Sequence, residues 1–189
     1  EFERIGLKPM GADWFQPVAM VESTLDPAAS NLTISVNGAP RPLAYKSEAV
    51  FGTRRVAPSV SIQDSDVVFV GYGVIAPEYG WNDYAGLDVK GKTVVILVND
   101  PGYATQDPAL FTGNAMTYYG RWTYKFEEAA RQGAAAALII HDTKPAAYGW
   151  NVVEGSWTGP QPDIARTDDG ASRAALEGGK GLLCGHRRQ

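Results

Sequence analysis

Asn114, Tyr118, Tyr119, Arg121 and Trp122 stand close together in the chain and carry the groups best suited to holding a ligand. A guanidinium takes a carboxylate through two parallel N–H···O bonds. Aromatic rings beside it can cover the remainder of a peptide or a sugar. The same residues admit a structural reading, in which the rings cap a core at the start of a helix and Arg121 forms a surface ion pair. Both readings place the group at the entrance to a helix, so the flanking elements decide what it can do.

Other chemistries are poorly served. The chain has two histidines and one cysteine, whereas a catalytic zinc takes three protein ligands and keeps a position open. His141 follows an apolar run and reads as a hydrogen-bonded residue at a strand end. Cys184-Gly185-His186 could hold a metal adventitiously, within a glycine-rich basic tail expected to be mobile. Ser156, in Gly155-Ser156-Trp157-Thr158-Gly159, has neither the spacing nor the strand-to-helix setting of a nucleophile elbow, and a turn is expected there. Gly71-Tyr72-Gly73 has no glycine three positions on and no helix after it, so it fails the dinucleotide fingerprint. Those glycines are expected to allow close backbone approach within a strand. No catalytic residue is assigned.

The elements that would position the Arg121 group are legible from periodicity. From Trp122 to Gln132 the pattern is helical, with Trp122, Phe126, Ala129 and Ala130 on one stripe and Lys125, Glu128 and Arg131 facing water. Gly133 suits the left-handed residue that closes a helix. Apolar β-branched runs at 93–99 and 135–140 flank this helix, and strand, helix, strand predicts a right-handed parallel βαβ unit. The connection 100–120, about 20 residues long, exceeds the usual ~2–6 for a βα loop. Its aromatics argue for order and for function.

Upstream, residues 15–21 and 31–36 read as strands. Asn37-Gly38 signals a two-residue hairpin turn, and Pro40 and Pro42 confine the return strand to an edge. Residues 67–74 read as a strand buried on both faces. Residues 77–84 form an irregular aromatic loop, and Val89-Lys90-Gly91-Lys92 a turn. Trp81, Tyr84, Trp150 and Trp157 belong to comparable loops, whose shared apolar surface would mark an interface.

With 189 residues, 44% apolar, 20% charged and a net charge of −4, the composition is that of an ordinary soluble globular protein, far from the disordered or membrane classes. No basic excess points to nucleic acid, and no apolar run approaches the roughly 18 residues of a membrane span. A single cysteine forms no internal disulfide. Glu1-Phe2-Glu3-Arg4-Ile5-Gly6 reads as the last turn of a helix, without the order of a signal peptide, so the chain is expected to begin mid-protein.

Three segments together resemble a known family: Phe69-Val70-Gly71-Tyr72-Gly73-Val74-Ile75-Ala76-Pro77-Glu78-Tyr79-Gly80-Trp81-Asn82-Asp83-Tyr84, then Val89-Lys90-Gly91-Lys92-Thr93-Val94-Val95, then Phe126-Glu127-Glu128-Ala129-Ala130-Arg131-Gln132-Gly133-Ala134. They are similar to the protease-associated domain, and more narrowly to the version inserted in bacterial zinc aminopeptidases of peptidase family twenty-eight, relatives of glutamate carboxypeptidase. The resemblance spans roughly residues 15–164. It implies a β-rich α/β module, open-barrel or sandwich-like, with a βαβ unit and flanking helices.

The resemblance further implies a noncatalytic lid beside a separate metallopeptidase domain, in a secreted, periplasmic or extracellular enzyme acting on peptides. Two zinc ions, a bridging water and a general-base glutamate would belong to that domain, and this chain would hold no cofactor of its own. Residues 1–10 resemble the end of that domain's first helix and residues 170–178 its resumption, which divides the chain at 1–14, 15–164 and 165–189. Beyond Gly178 the likeness ends. In the carboxypeptidase relatives, lid residues after the corresponding loop help hold the substrate's carboxylate, and Arg121 is their nearest equivalent by position, though the local spacing departs from theirs. Two other functions stand beside the lid: a free-standing peptide- or protein-binding module, and an intact zinc peptidase. An isolated lid would leave strand edges open to pairing between two copies.

Overall fold

Val94, Ile96, Ala137 and Ile139, each essentially sealed from solvent, lie at the centre of a sheet that organises a computed structural model of the chain. The structure describes residues 1–53, 55–165 and 182–186. Its strands are β1 (Met20–Ser23), β2 (Thr33–Val36), β3 (Ala39–Pro42), β4 (Ala49–Gly52), β5 (Val67–Phe69), β6 (Ile75–Ala76), β7 (Trp81–Asn82), β8 (Thr93–Leu97), β9 (Ala136–His141), β10 (Gln161–Ile164) and β11 (Leu182–His186). The α-helices are α1 (Pro101–Thr105), α2 (Trp122–Arg131), α3 (Thr143–Ala146) and α4 (Trp150–Trp157).

Five strands pair in the order β4-β11-β9-β8-β5. β5, β8, β9 and β11 run parallel, and β4 joins antiparallel at one edge. The parallel pairing of β8 with β9 around α2 agrees with the expected βαβ unit. One face packs Val50, Val94, Ile96, Ala137 and Ile139 with Ala129 of α2 and Val153 of α4. Each valine and isoleucine among them contributes about 1.5–3 kcal/mol by leaving water. Three two-stranded ladders, β1·β10, β2·β3 and β6·β7, complete the sheets, and none closes into a barrel.

Local chemistry explains most boundaries. β2 and β3 form the expected hairpin, with Asn37 at φ 51° and Gly38 at φ 79°, as a turn with two left-handed residues requires. The run 67–74 departs from expectation. β5 stops at Phe69 because Gly71 and Gly73 adopt φ 57° and 61° and turn the chain away. As the last strand of its sheet it leaves Val67 and Phe69 half exposed instead of buried on both faces. Close approach at Gly73 is real but lies in the turn: a methyl group there would sit 3.0 Å from Ile96 Cγ2.

At the N-terminus, residues 15–21 yield only the start of β1, and Phe15 stays exposed. Glu3–Ile5 is one 3-10 turn closed by left-handed Gly6. Residues 77–84 hold a 3-10 turn, Pro77–Tyr79, between β6 and β7. Asp83 fixes it by accepting from Val74 N and Trp81 Nε1. Leu182–His186, which include Cys184-Gly185-His186 of the glycine-rich tail, lie between β4 and β9 as a strand of the main sheet, a pairing the sequence reading did not foresee. Residues 170–178, compared above with a catalytic domain, lie outside the described residues.

Candidate functional site

The entrance to α2 is built by three tethers. Asp100, fully buried three residues beyond β8, accepts from Gly102 N at 3.1 Å, Thr117 N at 2.8 Å and Thr117 Oγ1 at 2.6 Å. It thereby caps α1 and ties the far end of the long connection back to the sheet. Gly120 then fits where a methyl group would lie 3.2 Å from the Asn99 backbone and 2.5 Å from Met116 Cγ. The third tether is Lys125, whose Nζ donates to the carbonyls of Tyr72 at 2.7 Å and Tyr119 at 3.1 Å.

Lys125 and Glu128 therefore face inward, against the amphipathic reading that set them in water. Helix α2 meets two apolar clusters, so its buried stripe is wider than one core demands. Glu128 accepts from Arg131 Nε at 2.9 Å and Gln132 Nε2 at 2.8 Å. Burial pushes the Lys125 ammonium down to about 7, while the charges of Asp100 and Asp83 pull the other way.

The second cluster gathers Val74, Ala76, Phe111 and Tyr124, with Tyr79, Trp81 and Tyr119 around them. Phe111 comes from the middle of the long connection and is sealed, 4.3 Å from the Tyr79 ring and edge-on to Tyr119 at 5.7 Å. This anchors the connection, as its aromatics suggested.

The five sequence-selected residues divide. Asn114 is exposed and accepts from Gln106 Nε2 at 2.7 Å within the connection. Tyr118, 58% exposed, directs its hydroxyl to Glu127. Tyr119 turns its ring into the Phe111 cluster and donates to Glu78 at 2.6 Å. That bond and partial desolvation push its hydroxyl up to about 12. Arg121 and Trp122 share a cavity.

That cavity is a cleft of about 430 Å³ between the entrance of α2 and helix α4, lined by Met116, Arg121, Trp122, Thr123, Ala146, Tyr148, Val152, Val153, Ser156 and Trp157. Its walls come from the segments that follow β8 and β9. His141, the buried last residue of β9, lies with its ring 6.3 Å from Trp122 and 5.3 Å from Tyr148. Ligands of open parallel sheets characteristically sit at the carboxyl ends of the strands.

Arg121 occupies the N-cap of α2, exposed and without an ion pair among the described residues. No side chain caps this helix and its first turn holds no acid, so the guanidinium adds to the positive pole of the helix. Trp122 stacks on Trp157 at 5.7 Å and 27°. Its Nε1 is buried without an acceptor among the described residues. These features favour an anion with an apolar body.

Ser156 lies on α4, where the sequence suggested a turn, and it lines the cleft instead of standing as a nucleophile. Tyr148, Val152 and Trp157 were missed as wall residues; the spacing of Trp150, Val153 and Trp157 was the available helical signal. The aromatics of the other loops divide between the two clusters: Trp81 joins the Phe111 cluster, Tyr84 enters the main core, and Trp150, which donates to Lys46 O at 2.6 Å, packs against that core. Among the described residues no group of three or more histidine, cysteine, aspartate or glutamate side chains is placed to hold a metal. No described helix is long and apolar enough to cross a membrane. Comparison with protein-family models, with curated proteins and with solved structures gives no match.

Proposed function

We propose that this chain is a noncatalytic, protease-associated lid domain of a secreted dizinc aminopeptidase-like metallopeptidase, and that it helps hold the substrate through Arg121. The reading rests on the resemblance of residues 15–164 and on one observation above others. An arginine without an ion pair among the described residues crowns an acid-free helix start, over a cleft at the carboxyl ends of parallel strands. A carboxylate there would meet the guanidinium and the positive end of α2 together. The β1·β10 ladder supports an inserted module, since it pairs Met20 with Ile164 and lets the chain enter and leave side by side. In this reading the zinc ions and their ligands belong to the catalytic partner.

Arg121→Ala in the intact enzyme tests it. For substrates that present a carboxylate to the lid, kcat/KM should fall roughly 10- to 100-fold, the worth of a charge-assisted hydrogen-bonded pair. Substrates without that group should be unaffected, and the circular dichroism spectrum should not change. Equal kinetics across both classes would return Arg121 to a surface role.

A second reading, a free-standing peptide-binding module, draws on β11. Leu182–His186 complete the same sheet that carries the cleft, so the segment after residue 164 contributes to this unit.

A further inference from the structure

We infer that α4 makes the cleft beside Arg121 selective, so that it takes an organic carboxylate bearing an aromatic or bulky branched group, such as a peptide ending in phenylalanine. The inference rests on the proposal that Arg121 grips an anion, and adds the chemistry of what the anion is attached to.

The cleft is larger than an anion needs. A carboxylate fills a small part of about 430 Å³, whereas a dry cavity of about 150 Å³ already accepts benzene. Its walls beyond Arg121 are mainly apolar, with Tyr148, Val152 and Trp157 opposite the α2 entrance. Val152 is held 45% exposed on a helix that buries its neighbour Val153, so apolar surface remains open to a ligand.

One wall is also rigid. Trp157 stacks on Trp122, and both touch Phe126, at 5.9 Å and 6.5 Å between centroids. Locked rings keep a fixed apolar surface at little cost in lost rotamer freedom, and they favour an aromatic guest. Thr123 and Ser156 add two hydroxyls among the lining residues, enough to orient a bound amide but not to hydrate a long polar side chain.

Titration of the 189-residue chain, followed by tryptophan fluorescence and calorimetry, tests this with three small probes, N-acetyl-phenylalanine, N-acetyl-phenylalanine amide and N-acetyl-glycine, and then with the tripeptide Ala-Ala-Phe. The first should bind at least about ten-fold more tightly than either of the others, because burying a phenyl ring and pairing a carboxylate are each worth that much. Ser156→Trp, at an exposed helix position on the cleft, should bring N-acetyl-phenylalanine down to the level of N-acetyl-glycine. Arg121→Gln should abolish the preference for acid over amide while keeping that for phenylalanine over glycine. Ala-Ala-Phe binding as tightly as N-acetyl-phenylalanine identifies a peptide C-terminus as the source; markedly weaker binding identifies a free acylated amino acid. Equal binding of the phenylalanine and glycine acids overturns the selectivity but leaves Arg121 its role. Equal binding of acid and amide overturns the role of Arg121, and no binding by any probe overturns both.

Discussion

Two buried polar groups show how single atoms set the stability of this chain. The Tyr84 hydroxyl lies within the main core without a hydrogen-bond partner among the described residues. Burial, and then the charge of Glu128, hold its proton on the ring well above the usual range. An unpaired buried hydroxyl costs about 1–3 kcal/mol. Tyr84→Phe should therefore stabilise the protein by about 1 kcal/mol, read as a higher urea midpoint at unchanged slope. Lys125 works through protons. Its folded-state value is depressed to about 7, so below that pH folded and unfolded chains are both protonated and the cost of the buried charge is borne in full. Between pH 7 and about 10 only the unfolded chain keeps the proton, and stability should rise with pH by up to about 1.4 kcal/mol per unit. Lys125→Met should flatten that slope in denaturant titrations between pH 7 and 9.5; an unchanged slope would show that the proton resides elsewhere. Neither residue's burial was legible in the sequence. Periodicity assigns lysine to water by type, and the Tyr72 carbonyl that receives Lys125 lies 53 positions upstream.

Between the strands and the cleft, the long connection matters most. Gly102 in α1 sits where a methyl group would lie 2.7 Å from Gly113 O, 2.8 Å from Leu110 O and 2.9 Å from Phe111 O. Those are backbone atoms that cannot swing aside. Gly102→Ala should cost about 1–3 kcal/mol through overpacking and raise the hydrogen-exchange rate of residues 106–116 above that of β8 and β9. Uniform exchange would mean that the connection is anchored by Phe111 alone. The sequence conveyed that this stretch was ordered, because aromatics in a loop need burial. It did not reveal which aromatics, because the partners of Phe111 are dispersed from Tyr79 to Tyr119. The hairpin at Asn37-Gly38 was legible because both residue types and their spacing answer one local requirement. Helix α4 was obscured by Gly149 and Gly155, which at its start and on its exposed face break no contact.

For the whole molecule, the α/β class was readable because central strands covered on both faces need continuous apolar runs, which 93–97 and 136–141 supply. The place of β11 was not. Leu182–His186 are embedded in glycines and arginines, and that local composition carries no trace of the long-range pairing with β4 and β9. A chain ended at Ala165 should lose cooperative thermal unfolding, since β4 would be parted from β9 within the sheet. A transition of unchanged sharpness and midpoint would show that the remaining strands close up unaided.

The ladder between β1 and β10 has a mechanical consequence. Met20 and Ile164 face each other at its outer end, and Ala165 N donates to Ala19 O at 2.8 Å just beyond. Tension that draws these two segments apart would load the hydrogen bonds one after another, as in a zipper, and not all at once in shear. The ladder would open from that end at low force while the five-stranded sheet stayed intact.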